Sequence, residues 1–395
     1  MFLNNMRKPI KVLFVSHSPA LAGAERSLLL LLRNIDRNCF DPIVVLPTSG
    51  PLKKEIECLN IKTYEVKSPW WVRGRHNAFW TIVQFGHCMV REVLALPSLY
   101  QIIKHEQIDV VYTNTVVIFS GAISAFIARI PHIWHIREII PGNPNLYFFF
   151  PNKLLFRLVL GWSSVIIANS NATAAQFQES GSTQKIKVIY NAVDPEEFKV
   201  SAPSPNIDGV SPEDWLVSVV GTLQRRKGQD DAIRAVKIAK ESIPNVKLLL
   251  IGSGDKSFTG DLKRMVSKLN LSGKVVFTGY RHDVPQILAH CKALLVPSWE
   301  EPFGRTTIEA MVAGVPVIGT NSGGTKEIIE EGITGYLVLP RDPLKMAEKM
   351  VELYNHPELA NKMGNNGKKI AKEKFTPRLY TRSIEETILE VISKP

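Results

Sequence analysis

The sequence predicts an α/β protein of two Rossmann-like, doubly wound domains facing a central cleft. Three observations predict it. Short apolar runs alternate with helical stretches, and the series occurs twice, once on each side of a Pro-rich window. Runs that are apolar throughout read as parallel strands buried on both faces. The chain has 395 residues, more than one core usually organises. Finally, the runs end in Gly, Pro or small polar residues, where a tight turn leads toward a helix. In an open parallel sheet that edge is where ligands bind.

Lys11–Ser16 is the first strand, followed by a loop over Ala20–Glu25 and an apolar helix over Ser27–Leu32. Ile43–Leu46 is the next, stopped by Pro47-Thr-Ser-Gly50. Val110–Tyr112, His132–Ile136 and Val165–Ala168 complete the first series. Pro195, Pro203, Pro205, Gly209 and Pro212 then break the pattern, so residues 195–213 read as a linker. Trp215–Val220, Lys247–Ile251, Val275–Thr278, Leu294–Pro297 and Val315–Gly319 form the second series. The tail from Pro343 to Ser393 is helical by periodicity, with breaks at Pro357 and Pro377. The predicted domains are thus residues 1–194 and 214–376, joined by 195–213.

An apolar content of 45% with 22% charged residues excludes long disorder. Cys39, Cys58, Cys88 and Cys291 show no C-x-x-C spacing, which argues against a disulfide framework and a zinc site and predicts a reducing cytoplasm. The longest clean apolar stretch, Val116–Ala128, has 13 residues, too few to span a bilayer. Net charge is +11, of which residues 1–194 carry +8. A basic front half suits nucleic acid, anionic lipid or a phosphorylated substrate. No nucleic-acid module accompanies it, so nucleic acid is not an expected partner. Trp70-Trp71-Val-Arg73-Gly-Arg75 joins interface-type aromatics to cations and is the candidate contact with an anionic membrane, at whose inner face the protein would sit peripherally.

Ser298–Met311 carries the most chemistry. Glu301 lies in the loop after a strand, Thr306 and Thr307 read as a helix entry, and Glu309 falls in the first turns of that helix. Two such carboxylates can accept hydrogen bonds from paired sugar hydroxyls, and the helix start offers N–H groups to an anion. An ordinary acidic loop has the same spacing. Gly221-Thr-Leu-Gln-Arg-Arg226-Lys227-Gly228 joins a turn glycine to three cations. It is not a P-loop. It suits a diphosphate, which Arg chelates and Lys neutralises, or a surface loop before a helix. Gly23 in Ala22-Gly-Ala-Glu25 allows close approach to a phosphate or sugar, or simply starts a helix. His135, at a strand end, would point toward the cleft if it is functional rather than structural. Ser322-Gly-Gly-Thr-Lys-Glu327 is a second backbone-exposing loop.

Together these residues resemble the retaining glycosyltransferases of family 4, of GT-B fold. The resemblance runs over nearly the whole chain, through Ala22–Glu25, His135, Tyr190-Asn-Ala-Val-Asp194, Arg226-Lys-Gly228, Glu301-Pro-Phe-Gly304, Glu309, Gly323-Gly324 and Glu327. Two departures stand out: Thr222 where many members have Arg, and Ala22 where the family has Gly. The resemblance implies an acceptor-binding first domain and a donor-binding second domain, with residues 377–395 crossing back to the first. It implies that Glu309 binds the ribose, that Arg226 and Lys227 hold the diphosphate, and that Glu301 with the backbone near Phe303 and Gly304 holds the sugar. His135 would touch that sugar from the opposite lobe, Gly23 would approach the phosphates, and Gly279, Tyr280 and Arg281 would flank the base. Gly221 and Arg305 complete the expected donor site. His135, Glu301, Arg226 and Lys227 are the residues expected to act in catalysis.

The implied reaction moves a hexosyl group from a nucleoside diphosphate sugar, such as a UDP- or GDP-sugar, to a hydroxyl of a glycan or lipid-linked acceptor, with retention. The sequence lacks an Asp-x-Asp motif, so no metal and no cofactor beyond the donor are expected. Polysaccharide, glycolipid or lipid-linked glycan synthesis is the expected setting. The alternatives are a nucleotide-sugar hydrolase or epimerase of the same fold and a nonenzymatic sugar-nucleotide binder.

Overall fold

The computed structural model describes residues 8–73, 78–143, 146–178, 183–199 and 206–393. The chain divides into two compact units, Met1–Asn191 with Pro377–Pro395, and Ala192–Thr376. Each is a Rossmann-like α/β domain.

The first unit is built on a seven-stranded parallel sheet. Its spatial order is Lys62–Glu65, Phe40–Leu46, Ile10–Val15, Val110–Thr113, His132–Ile136, Val165–Ala168 and Ile186–Val188. The central strands are inaccessible because helices cover both faces, which is why their sequences are apolar throughout. The order reverses between Ile10–Val15 and Val110–Thr113, and this places the topological switch point between their carboxyl ends. The second unit repeats the plan with six parallel strands: Val275–Gly279, Val246–Ile251, Trp215–Val220, Ala293–Val296, Val317–Thr320 and Gly335–Val338. Its switch point falls between Trp215–Val220 and Ala293–Val296.

The helix Ala78–Glu106 is 29 residues long and packs on helix Ser120–Ala128. Cys88, Glu92, Ala95, Leu99 and Ile102 form its buried stripe, at helical spacing. Helices Pro343–Asn355, Pro357–Lys374 and Pro377–Ser393 each begin at a proline, where the absent N–H would have had no partner. The last of these belongs to the first unit, where Tyr380, Ile384, Ile388 and Val391 are buried and the helix packs on Gly23–Asn34.

Several expectations need adjustment. Ala20–Glu25 is not all loop: the helix begins at Gly23, so Glu25 sits in its first turn. The helix carrying Glu309 begins at Arg305, one residue before the threonines, because Gly304 supplies a left-handed start. Pro195 opens a short 3-10 turn, Pro195–Phe198, capped by the Asp194 carboxylate. Pro203 and Pro205 lie outside the described residues. Among the described residues no helix is long and apolar enough to cross a membrane.

Candidate active site

In the second unit, the loops after Trp215–Val220 and Ala293–Val296 meet at the switch point. Arg225–Lys227 forms a 3-10 turn that ends at left-handed Gly228 (φ 65°). A Cβ on Gly228 would lie 2.1 Å from the Pro297 carbonyl oxygen, so only glycine lets the two loops close. Closure brings their backbones and side chains into register. The Trp299 amide donates to the Arg226 carbonyl at 2.8 Å. Lys227 Nζ reaches both Glu301 oxygens, at 2.8 and 2.6 Å. Arg226 Nη1 donates to the Glu300 carbonyl at 3.4 Å. From the other side, the Gly324 amide donates to the Glu301 carbonyl at 2.7 Å, and Ser322 Oγ to the Trp299 carbonyl at 2.7 Å. Gly323 is also required, since a Cβ there would lie 2.2 Å from the Glu301 carbonyl oxygen.

Burial alone would push the Glu301 carboxyl up, but the charges of Lys227 and Arg226 outweigh it and hold the group below its ordinary value. Glu301 is therefore an anchored carboxylate at neutral pH. Arg226 keeps its Nε buried and without a hydrogen-bond partner among the described residues. A buried guanidinium N–H with no acceptor is costly unless a ligand supplies one. Arg225 points elsewhere: it pairs with Asp261 at 3.3 Å and lies over the Phe258 ring.

Arg305 and Glu309 form an ion pair at 3.0 Å, one helical turn apart. Phe303 is buried, with its ring near Phe375. Between these lies Gly304, flanked by the buried hydroxyls of Thr307 and Thr325, neither of which has a partner among the described residues. Gly221 and Gly252 follow adjacent strands and Gly279 ends the next; they are linked along the sheet edge, with the Gly221 amide on the Ile251 carbonyl and the Gly252 amide on the Gly279 carbonyl. Beside them Tyr280 is exposed, and Arg281 is held in a two-pronged contact with Asp283 at 2.8 and 2.6 Å. The structure thus joins Lys227 to Glu301 with Arg226 on the adjacent Glu300 carbonyl, keeps Arg305 and Glu309 as a second pair, and leaves Arg281 paired locally. Trp299 was not anticipated. Its ring carries the Arg341 guanidinium at 3.9 Å and donates through Nε1 to Asp231 at 3.1 Å, which fixes the start of the Glu300-Glu301 loop.

In the first unit, His135 does not stand free at a strand end. It is fully buried in strand His132–Ile136, where Nδ1 meets the Tyr112 hydroxyl and accepts from Arg137 Nη2 at 3.2 Å. Burial, with the Arg137 charge added, holds the imidazole pKa well below its ordinary value. The ring is neutral, and because Nδ1 accepts, its proton sits on Nε2. Nε2 is buried and has no partner among the described residues. Arg137, two residues on and not anticipated from the sequence, is the hub. Its guanidinium donates to Asn114 Oδ1 at 3.0 Å, Asn191 Oδ1 at 2.6 Å and the Tyr380 hydroxyl at 2.9 Å. Gly23 opens its helix at the carboxyl end of strand Ile10–Val15, with open space where a Cβ would stand. Glu25 beside it is raised to about 7 by burial, and His17, 3.2 Å away, is lowered to about 4 by burial and by Arg137. Of the two adjacent tryptophans, Trp71 is core and donates to Glu92 at 2.8 Å, whereas Trp70 is half exposed and donates to the His17 carbonyl. Gly74 and Arg75 lie outside the described residues.

Two Rossmann-like domains of this kind are those of the GT-B glycosyltransferase fold. Anabaena HepE, solved in complex with UDP-glucose, is 26% identical and superposes with a TM-score of 0.78 over 96% of this chain and 100% of its own. Residues 21–197 match the model described as Glycosyltransferase Family 4, and residues 204–370 match that described as Glycosyl transferases group 1. The chain is a member of glycosyltransferase family 4. Among its relatives, N-acetyl-alpha-D-glucosaminyl L-malate synthase of Bacillus anthracis is 28% identical over 76% of this chain and 79% of that protein. The putative glycosyltransferase EpsD of Bacillus subtilis (strain 168) is 31% identical over 48% of this chain and 50% of its own.

Proposed function

We propose that the protein transfers a sugar from a nucleoside diphosphate sugar to a hydroxyl of a glycan or lipid-linked acceptor, with retention at the anomeric carbon and without a metal ion. The observation that carries this reading is the meeting of Arg226, Lys227 and Glu301 at the switch point of the second unit, with Arg226 Nε lacking an acceptor. In this reading the second unit holds the donor. Arg226 and Lys227 neutralise the diphosphate, whose charge grows as the anomeric C–O bond breaks. The carboxylate of Glu301 accepts hydrogen bonds from the sugar, and Glu309 accepts from the ribose. Gly221 and the turn Gly279–Arg281 flank the nucleotide, and the backbone at Phe303 and Gly304 flanks the sugar. The acceptor oxygen attacks the face the diphosphate leaves, and its proton passes to the departing phosphate oxygen. The first unit, which carries Gly23 and the Nε2–H of His135, serves the acceptor. The complexes of HepE with UDP and with UDP-glucose favour uridine as the base.

A thermal-shift screen of UDP-, GDP- and ADP-sugars tests the donor, with UDP-sugars expected to stabilise. Transfer in excess chelator tests the metal, with full activity expected. NMR of the product decides retention. Stabilisation by no nucleotide sugar would overturn the reading.

A further inference from the structure

The outward face of helix Ala78–Glu106 is apolar where a surface helix should be polar. Phe79, Ile82, Val83, Met89, Val90, Val93 and Leu94 are all exposed, Ile82 and Leu94 to 70%. They recur at helical spacing through about four turns, opposite the stripe that packs on the core. Trp80 is exposed beside them, and Trp70 is exposed on the neighbouring loop. Contiguous apolar surface on this scale marks an interaction site.

The exposed charges on the helix itself have one sign. Arg91 is exposed on the same helix, and Lys104 is exposed at its carboxyl end. The helix has two carboxylates and exposes neither: Glu92 is buried against Trp71, and Glu106 is buried and bonded by Lys62 and Tyr64. Residues 1–194 carry +8 of the chain's +11. An apolar face with aromatic residues at one end, flanking cations and no accessible carboxylate on the helix itself has the pattern of a helix that lies in a lipid interface. It does not cross the bilayer, because no described helix is long and apolar enough.

The same helix walls an open groove of about 790 Å³. Across from Gln84, His87 and Arg91, the groove is lined by Thr48, Lys67 and Trp70, at the carboxyl edge of strands Phe40–Leu46 and Lys62–Glu65, and by Glu65, whose carboxylate is neutralised by Lys53 at 2.6 Å. Trp70 in turn donates to the His17 carbonyl, beside Glu25 and the Gly23 helix start. The groove therefore runs from the apolar face toward the ligand-binding edge of the first sheet.

We propose that the outer face of helix Ala78–Glu106 docks on the surface of an anionic lipid bilayer, with the groove beside it open to lipid head-groups. This rests on the proposed acceptor reading only for the groove's role; docking stands on the helix itself. The test is co-sedimentation of the full chain with vesicles of phosphatidylcholine, with and without phosphatidylglycerol. Wild type is expected to pellet with the anionic vesicles and to be released by salt. Ile82→Glu/Val90→Glu, at two exposed positions outside the groove, is expected to bind about tenfold more weakly with an unchanged melting temperature. Ile82→Gln/Val90→Gln, which adds no charge, should also lose binding. Wild type remaining in the supernatant would overturn the proposal. So would a variant that pellets like wild type, or sedimentation equilibrium showing a dimer that the Glu variant dissociates, since that makes the face an interface between copies. Nucleotide-sugar binding is read separately by thermal shift. Vesicle binding without nucleotide binding would sink the transferase reading and leave docking intact, and the reverse outcome would do the opposite.

Discussion

Removing Lys227 should change both the stability of the second unit and the sign of its response to pH. In wild type the Lys227 ammonium lies within 2.8 Å of both oxygens of Glu301, and the two side chains are 20% and 14% exposed. Breaking a fully buried pair from one side costs roughly 3–5 kcal/mol. Water reaches both members here, so the expected cost of Lys227→Met is smaller, about 2 kcal/mol, or about thirtyfold in the folding equilibrium. The pH dependence follows from the forces on Glu301. In wild type its folded pKa lies below the unfolded value, so its contribution is present above about pH 4.3 and is lost as pH falls through the folded pKa. Without Lys227, burial dominates and the folded pKa rises above the unfolded one. Stability is then lost as pH rises through the unfolded pKa, and the deficit against wild type is larger at pH 8 than at pH 5. Urea unfolding at both pH values measures this, with hydrogen exchange of strand Ala293–Val296 identifying the relevant transition. Lys227→Met/Glu301→Gln, which removes the stranded charge, should recover more than half of the loss. A deficit that is equal at the two pH values, or a double variant as unstable as the single, would refute the reasoning.

Gly323→Ala introduces a Cβ 2.2 Å from the Glu301 carbonyl at φ +54°, so it should destabilise by about 1–3 kcal/mol and weaken UDP binding, as read by calorimetry. Glu309→Ala should raise the donor KM with little change in kcat, whereas Glu301→Ala should mainly lower kcat; equal effects in steady-state kinetics would remove the division of roles. Tyr380→Phe removes one of Arg137's acceptors and should cost about 1 kcal/mol in urea unfolding, while Arg137→Met, which strands Asn114 and Asn191, should cost more. Because His135 is held neutral, the pH–rate profile should show no limb from it near the ordinary histidine value of about 6.5.

The parts of the fold that were legible in the sequence are those where burial is two-sided. Strands such as Val110–Thr113 and Trp215–Val220 are apolar throughout because helices cover both faces. Strands Lys62–Glu65 and Ile186–Val188 were missed because they lie at the sheet edges and carry polar side chains. Helix Ala78–Glu106 was missed for the opposite reason: its outer face is apolar too, so the contrast between faces that marks a helix is absent. In the candidate site, the loops around Arg226 and Glu301 announced themselves by Gly and charge next to a strand end. The Arg137 hub did not. Its partners come from positions 114, 191 and 380, and no local pattern joins residues so far apart. Trp299 was equally silent, since Asp231 and Arg341 meet its ring only after folding.

The assignment of helix Pro377–Ser393 to the first unit has a consequence for the order of synthesis. The residues that cover helix Gly23–Asn34 and supply Tyr380 to Arg137 are translated after the second unit. The amino-terminal unit, although translated first, is completed only after the whole of the second unit has been made. Until then its growing chain carries an uncovered apolar helix and a buried cation short of one acceptor. Chains stopped before Pro377 should therefore hold a first unit that is open to chaperones and proteases while the second, whose segment is continuous, is already closed.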